Sequence, residues 1–252
     1  TTPRYLYGYP TATSQKHPLV KIYAVLVNHY MRVYDFESAQ KVDWFVANSR
    51  EVAARIKKFY RRESKVIYPP VDVEKISKGK GTSRDYFLVV SRLVGAKNVD
   101  IAVEVCTNLK LPLKVVGEGR DREKLEKMAG KTIEFLGDVD DTELVELYSG
   151  CRALIFSASM EDFGIVPVEA MAAGKPVIAL SEGGVKETVI DKKTGLLVED
   201  LKPGAFVVAL NVFMAMEKKG EWDSEFIKKH AQKFSKERFK KEIKTFVEGK
   251  VK

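Results

Sequence analysis

Cysteine is nearly missing: Cys106 and Cys151 stand far apart in 252 residues, with no CxxC and no Cys/His cluster. That excludes a disulfide framework and offers no zinc-ligand spacing, so both read as small buried residues. Long apolar runs are missing too. The most apolar stretches, PLVKIYAVLV at 18–27 and GAFVVALNVFMAM at 204–216, are too short or too interrupted to span a bilayer. No signal peptide opens the sequence, and cytoplasmic residence is the expectation. Glutamine (15, 40, 232) and asparagine (28, 48, 98, 108, 211) are scarce beside abundant lysine and glutamate, a composition associated with hyperthermophile proteins. No internal repeat or low-complexity segment occurs.

What is present is enough apolar material, 45% of the chain, for one large domain or two smaller ones. The formal net charge of +8 is unevenly spread: residues 218–252 hold twelve Lys or Arg against six acids, a net of +6. Lys236, Arg238, Lys240, Lys241 and Lys244 are expected to line one edge of a C-terminal helix. RIKKFYRRESK at 55–65 is a second basic cluster. Such charge suits an anionic membrane surface, but an ordinary solvated helix face is the preferred reading; no nucleic-acid partner is expected.

From about residue 84 the chain alternates short β-rich runs (86–91, 113–117, 133–137, 153–157, 176–180, 195–198) with helical patterns (98–109, 121–129, 141–149, 165–173, 185–190), followed by a helical tail. The fold class is therefore α/β with a doubly wound parallel sheet, its continuous apolar strands buried on both faces. Residues 1 to about 75 differ. They predict helices at 18–34, 35–41 and 50–60, one strand at 43–49, and a stiff connector, KVIYPPVD at 65–72. One strand makes no sheet, so this portion reads as the closing part of another α/β domain. The expected division is 1–75, 76–235 for the complete sheet domain, and 236–252 for a basic C-terminal helix.

Ligands of an open parallel sheet bind beyond the carboxyl ends of its strands, and the unusual residues gather there. Arg92 and Lys97 follow the first strand of the second portion, GEG (117–119) the second, GDVD (137–140) the third, SASMEDFG the fourth and SEGG (181–184) the fifth. In MEDFGIVPVEAMAAGKPVIAL (160–180), Gly164 frees the backbone, Pro167 pre-sets a first helical turn, and Gly174 ends the helix. The helix start near Ile165 favours an anion, yet the ionisable neighbours Glu161 and Glu169 are both acidic. A diphosphate with a polyol on each side reconciles them. Arg92, Lys97 and the backbone N–H groups of Phe163 to Val166 would meet the phosphates, and each carboxylate a pair of sugar hydroxyls. Spacing alone also fits two solvated acids.

SRLVGAKNVDIAVE, FLGDVDDTELVELYSGCRALIFSASMEDFGIVPVEAMAAGKPVIALSEGGVKETVI and TGLLV closely resemble the donor-binding half of the retaining glycosyltransferases of family 4, which have the two-domain GT-B architecture. The resemblance runs from about Arg84 to Val198, and RVYDFESAQKVDWFVANSREVAARI and VIYPPVD continue it upstream. Glu161 and Glu169 match the E-x7-E motif of that family, and the likeness is nearest to GDP-mannose-dependent mannosyltransferases of polysaccharide and lipid-linked glycan assembly.

The resemblance implies a complete C-terminal GT-B domain plus part of an N-terminal Rossmann-like one, and transfer of a hexosyl, here mannosyl, unit from a nucleotide sugar to a glycan or lipid-linked acceptor. It further implies that Arg92 and Lys97 hold the diphosphate and stabilise the leaving nucleotide, that Glu169 binds the ribose, and that Glu161 lies by the transferred sugar. By the same resemblance Phe163, Gly164, Ile165 and Val166 lend the loop and helix start, Val139 contacts the base, and neither cofactor nor obligatory metal is required. Gly95 and Asn98 depart from the usual Pro and Arg or Lys. The family's N-terminal glycine-rich loop and active-site histidine are not matched in this chain, His17, His29 and His230 reading as surface or structural residues, so a non-catalytic nucleotide-sugar binding module is the competing expectation.

Overall fold

The computed structural model describes residues 18–82 and 85–250, the side chains of 18–22 excepted; His17 and the start of the family resemblance at Arg84 lie outside the described residues. The chain forms two compact units that divide between Ile67 and Tyr68.

In the first unit, α1 (Pro18–Gln40) is one helix where two were expected, because RVYDFESAQ contains neither Gly nor Pro to interrupt it. The strand expected at 43–49 shrinks to β1 (Val46–Ala47), since Ser49 turns away to cap α2 (Arg50–Tyr60), its hydroxyl accepting from Val52 N at 3.0 Å. Arg61 closes α2 in the left-handed conformation, φ 56°. A second strand, β2 (Lys65–Val66), pairs parallel with β1, correcting the expectation of a lone strand. Pro69 and Pro70 masked it: the extended residues before them read as a connector. Arg62 donates to the carbonyls of Val42 (2.8 Å) and Asp43 (3.1 Å), tying the chain beyond α2 to the loop entering β1. The core of this unit is small: Ala39, Ala47, Val52, Ile56 and Tyr60.

The second unit opens earlier than the expected residue 76. Val71 N donates to the Phe234 carbonyl at 2.9 Å, Asp72 pairs with Lys236 at 2.5 Å, and α3 (Val73–Ile76) buries Val73 and Ile76, so 68–76 belong to this unit's core. Six strands follow: β3 (Phe87–Val90), β4 (Leu113–Val116), β5 (Ile133–Gly137), β6 (Leu154–Phe156), β7 (Val177–Leu180) and β8 (Gly195–Val198). All are parallel, in the order β5-β4-β3-β6-β7-β8. The connections are α4 (Val99–Asn108), α5 (Arg122–Met128), α6 (Asp141–Gly150), α7 (Ile165–Ala172) and α8 (Val185–Thr188), and α9 (Pro203–Lys218), α10 (Ser224–Ala231) and α11 (Lys236–Glu248) complete the unit.

Alternate strand residues feed two cores. Phe87, Val89, Ala153 and Ile155 meet α4 and α9, while Leu88, Leu154 and Phe156 meet α6, α7 and α10. Both sheet faces are covered, as the apolar strands require. Beside the α7 and α10 core the buried His230 is bonded to the Thr188 carbonyl at 2.7 Å, and burial lowers its pKa. The basic edge expected on α11 is only partly formed. Lys236, Lys240 and Lys244 recur every four residues, but Arg238 turns inward to the Pro69 carbonyl at 3.4 Å and to Glu242. Among the described residues no helix is long and apolar enough to cross a membrane.

The chain leaves β3 towards β4 and β5, then returns to β6 and builds outward on the other side. Neighbours β3 and β6 therefore have connections running in opposite directions, which opens a crevice beyond their carboxyl ends.

Candidate functional site at the sheet switch point

The β3–α4 loop brings two of the expected residues to this crevice. Arg92 is exposed just past β3, and a 3-10 turn, Gly95–Lys97, carries Lys97. The facing loop after β6 carries Glu161. Lys97 Nζ donates to Glu161 Oε2 at 2.5 Å, both side chains being about three-quarters covered (22% and 23% exposed). Residues expected at different parts of a ligand are thus bonded to each other.

The two loops are joined by backbone as well as by charge. Ser159 N donates to the Ala96 carbonyl at 3.3 Å, and Ser157 Oγ donates to the Asn98 carbonyl at 2.8 Å. Met160 adopts φ 54°, a conformation costly for an unbranched side chain, directly before Glu161. The SEGG loop lies against the other side: Gly184 N donates to the Glu161 carbonyl at 3.0 Å, and a Cβ on Gly183 would run into that carbonyl. Two adjacent glycines are needed there because backbone lies on backbone.

α7 then begins at Ile165 behind Gly164, whose φ of 86° suits only glycine. Gly174, at φ 76°, follows its last turn. Phe163 is buried against Tyr68 and Phe234, at ring distances of 5.7 and 5.5 Å, so its side chain anchors the loop and only its backbone is left for a ligand. Ile165 is 44% exposed at the helix start, and Val166 packs partly on the α6/α7 core. Val139 packs on that same core after β5, two strands from β3. Asp140 of the GDVD motif is a helix cap, accepting from Thr142 N and Glu143 N at 2.8 Å.

Glu169 lies one turn into α7 and accepts from the buried Tyr148 hydroxyl at 2.7 Å. Burial raises its carboxyl above the ordinary value, the Tyr148 hydrogen bond opposes the rise, and Asp141 adds to it. Neither acid therefore presents a bare charge to the helix start: Glu161 is neutralised by Lys97, and Glu169 is held by burial and a hydroxyl. An anion can approach the α7 N–H groups without meeting two free carboxylates.

Tyr148 and Asn98 escaped the sequence reading as site residues. Tyr148 stands at an apolar position of ELVELYSG and reads as core; Asn98 was visible only as a residue out of pattern, though an Asn beside a turn is a standing sign of left-handed backbone. A groove of about 390 Å3 between β8 and α9, lined by Leu197, Val208 and Val212, contains none of the expected site residues.

A doubly wound sheet with this constellation at its switch point is the C-terminal-type domain of the GT-B glycosyltransferase fold. Residues 71–238 match the family model of the Glycosyl transferases group 1, and the chain belongs to that family.

Among its relatives is an uncharacterised glycosyltransferase of Methanocaldococcus jannaschii, 32% identical over 71% of this chain and 52% of the relative. Another is the alpha-1,3/1,6-mannosyltransferase ALG2 of Mus musculus, 29% identical over 68% of this chain and 50% of that one. The solved structure of HepE from Anabaena, in complex with UDP and glucose, superposes with a TM-score of 0.75 at 20% identity, covering 86% of this chain and 66% of HepE. The chain spans about half the length of these two curated relatives.

Proposed function

We propose that this chain carries the donor site of a retaining glycosyltransferase that moves a hexosyl unit, mannosyl in our reading, from a nucleotide diphosphate sugar to a hydroxyl of a glycan or lipid-linked acceptor. The observation that carries the proposal is the Lys97–Glu161 pair beside the start of α7, with Glu169 one turn deeper. Family membership, the mannosyltransferase relative and the UDP and glucose bound to HepE support it.

In this reading the diphosphate sits at the first turn of α7. Arg92, Lys97 and the N–H groups from Phe163 to Val166 take up the charge that grows on the departing phosphate as the bond to the sugar breaks. Lys97 then shares its protons between the phosphate and Glu161 Oε2, and the other Glu161 oxygen accepts from hydroxyls of the transferred sugar. Glu169 has one oxygen engaged by Tyr148 and directs the other to the ribose, with Val139 beside the base. None of these roles calls for a metal or cofactor, because side chains and the helix terminus supply the stabilising charge.

The positive excess of 218–252 supports peripheral contact with an anionic membrane bearing the acceptor, on its cytoplasmic face, although of the aligned Lys236, Lys240 and Lys244 the first pairs with Asp72 and the last with Glu248. The test is donor turnover and calorimetry with GDP-mannose and UDP-glucose. Saturable binding of at least one, with GDP-mannose preferred, is the expected result for this chain, its own turnover being slow or absent and transfer of the mannosyl unit with retention being expected of a longer chain that also carries the acceptor side. No binding of either donor refutes the proposal, and preference for UDP-glucose refutes the mannosyl part of it.

A further inference from the structure

Asn98 occupies a position where its side chain would ordinarily serve the helix that follows. It is the N-cap of α4, and an N-cap asparagine normally accepts from an N–H one turn on. Here it makes no such bond. The residue adopts φ 47°, ψ 38°, and its carboxamide nitrogen points across the crevice, donating to the Ser157 carbonyl and to Ser159 Oγ, both at 3.1 Å. Its other neighbour, the Ala96 carbonyl at 3.4 Å, is also an acceptor, so the nitrogen is the atom that belongs there.

Ser157 returns the contact, its hydroxyl donating to the Asn98 carbonyl at 2.8 Å and reaching the Lys97 carbonyl at 3.2 Å. The loop carrying Lys97 and the loop carrying Glu161 are thereby laced together at the residue next to the lysine. A lysine side chain has four rotatable bonds, so its ammonium is held by the Glu161 ion pair, and that pair lasts only while the two loops keep their spacing.

We propose that Asn98 is a positioning residue of the donor site: its carboxamide clips the β3–α4 loop to the β6–α7 loop and so sets the Lys97 ammonium where the ligand's diphosphate lies. This rests on the nucleotide-sugar reading above. Asn satisfies two demands at once, tolerance of left-handed backbone and a double donor, whereas Gly would meet the first demand alone.

The test compares GDP and UDP with guanosine and uridine by calorimetry, on the wild-type chain, Asn98→Gly and Ser159→Ala. Asn98→Gly keeps the left-handed turn and removes the clip. It is expected to weaken nucleoside diphosphate binding by about tenfold or more, the effect of one misplaced charged hydrogen bond, while nucleoside binding and the melting midpoint stay near wild type.

Ser159→Ala removes one acceptor of the clip without touching the turn and is expected to shift the same selectivity in the same direction by less, so the inference stays testable should Asn98→Gly fail to fold. Equal loss for nucleoside and diphosphate in the folded variants, or no loss for either, overturns the positioning role while leaving the donor site standing. A wild-type chain that binds neither diphosphate overturns the donor-site reading and this assignment with it.

Discussion

The two units of this chain treat apolar surface in opposite ways. The second encloses its sheet between two helical layers, and Phe87, Leu88, Leu154, Phe206 and Phe213 are wholly buried. The first has a small core, and of the sixteen large apolar side chains left exposed in the described structure it holds eleven, among them Tyr23, Leu26, Tyr30, Tyr34 and Trp44. On α1 the exposed Tyr23, Leu26, Val27, Tyr30 and Tyr34 recur at helical spacing, and Val25, Met31 and Val33 are exposed on its other sides. The lesson concerns where specificity can be built. A site of fixed geometry needs rigid elements behind it, and Lys97, Glu161 and Glu169 all stand on the unit whose core is closed on both faces.

Core truncation should break the comparison hardest. Phe213→Ala, which removes a ring packed on Phe87 and Trp222, should destabilise the second unit by about 3–5 kcal/mol. Denaturant unfolding followed at Trp222 checks it, and a loss below about 1 kcal/mol would mean this core is not the stabilising one.

Next in size is the division of labour within the site. Glu169→Gln should weaken nucleoside and nucleotide alike by roughly 1–3 kcal/mol, whereas Lys97→Ala should cost the diphosphate far more than the nucleoside. The pH dependence has a definite sign. Because burial holds the Glu169 carboxyl above its ordinary value, its acceptor form is gained, and nucleoside binding strengthens, as pH rises through that raised pKa. Nucleoside affinity flat from pH 4 to pH 7 would remove Glu169 from the ribose.

The smallest effect on stability belongs to the first unit. Leu26→Ser, at a side chain 58% exposed, should change stability by less than about 0.5 kcal/mol yet reduce self-association in sedimentation velocity. A large loss of stability there would show that the helix face is already covered.

The same contrast explains what could be read from the sequence. In the second unit every strand of the sheet and every helix from α4 to α8 was legible to within a few residues, because strands buried on both faces are continuous apolar runs separated by glycine-bearing loops. Gly164 and Gly174 marked the ends of α7 for a reason of backbone conformation alone. The first unit was less legible: β2 lay hidden before two prolines, and α1 was cut in two by charged residues, Asp35 and Glu37, that a long helix carries without strain. α3 went unread because a four-residue helix has no period to detect, only its Asp72 cap.

At the site the residue types could be expected, but not their pairing. That Lys97 and Glu161 hold each other, and that Tyr148 holds Glu169, depends on loops brought together from strands far apart in sequence. Spacing along a chain carries no record of such contacts.

The central claim is that a nucleoside diphosphate seats at the carboxyl ends of β3 and β6, between the two laced loops. Hydrogen exchange read by mass spectrometry with and without GDP tests it most directly. The account predicts slowed exchange in 91–98 and 159–169 with the β7 and β8 strands unchanged; unaltered exchange in both loops at a saturating GDP concentration, or protection confined to the β8/α9 groove, would contradict it.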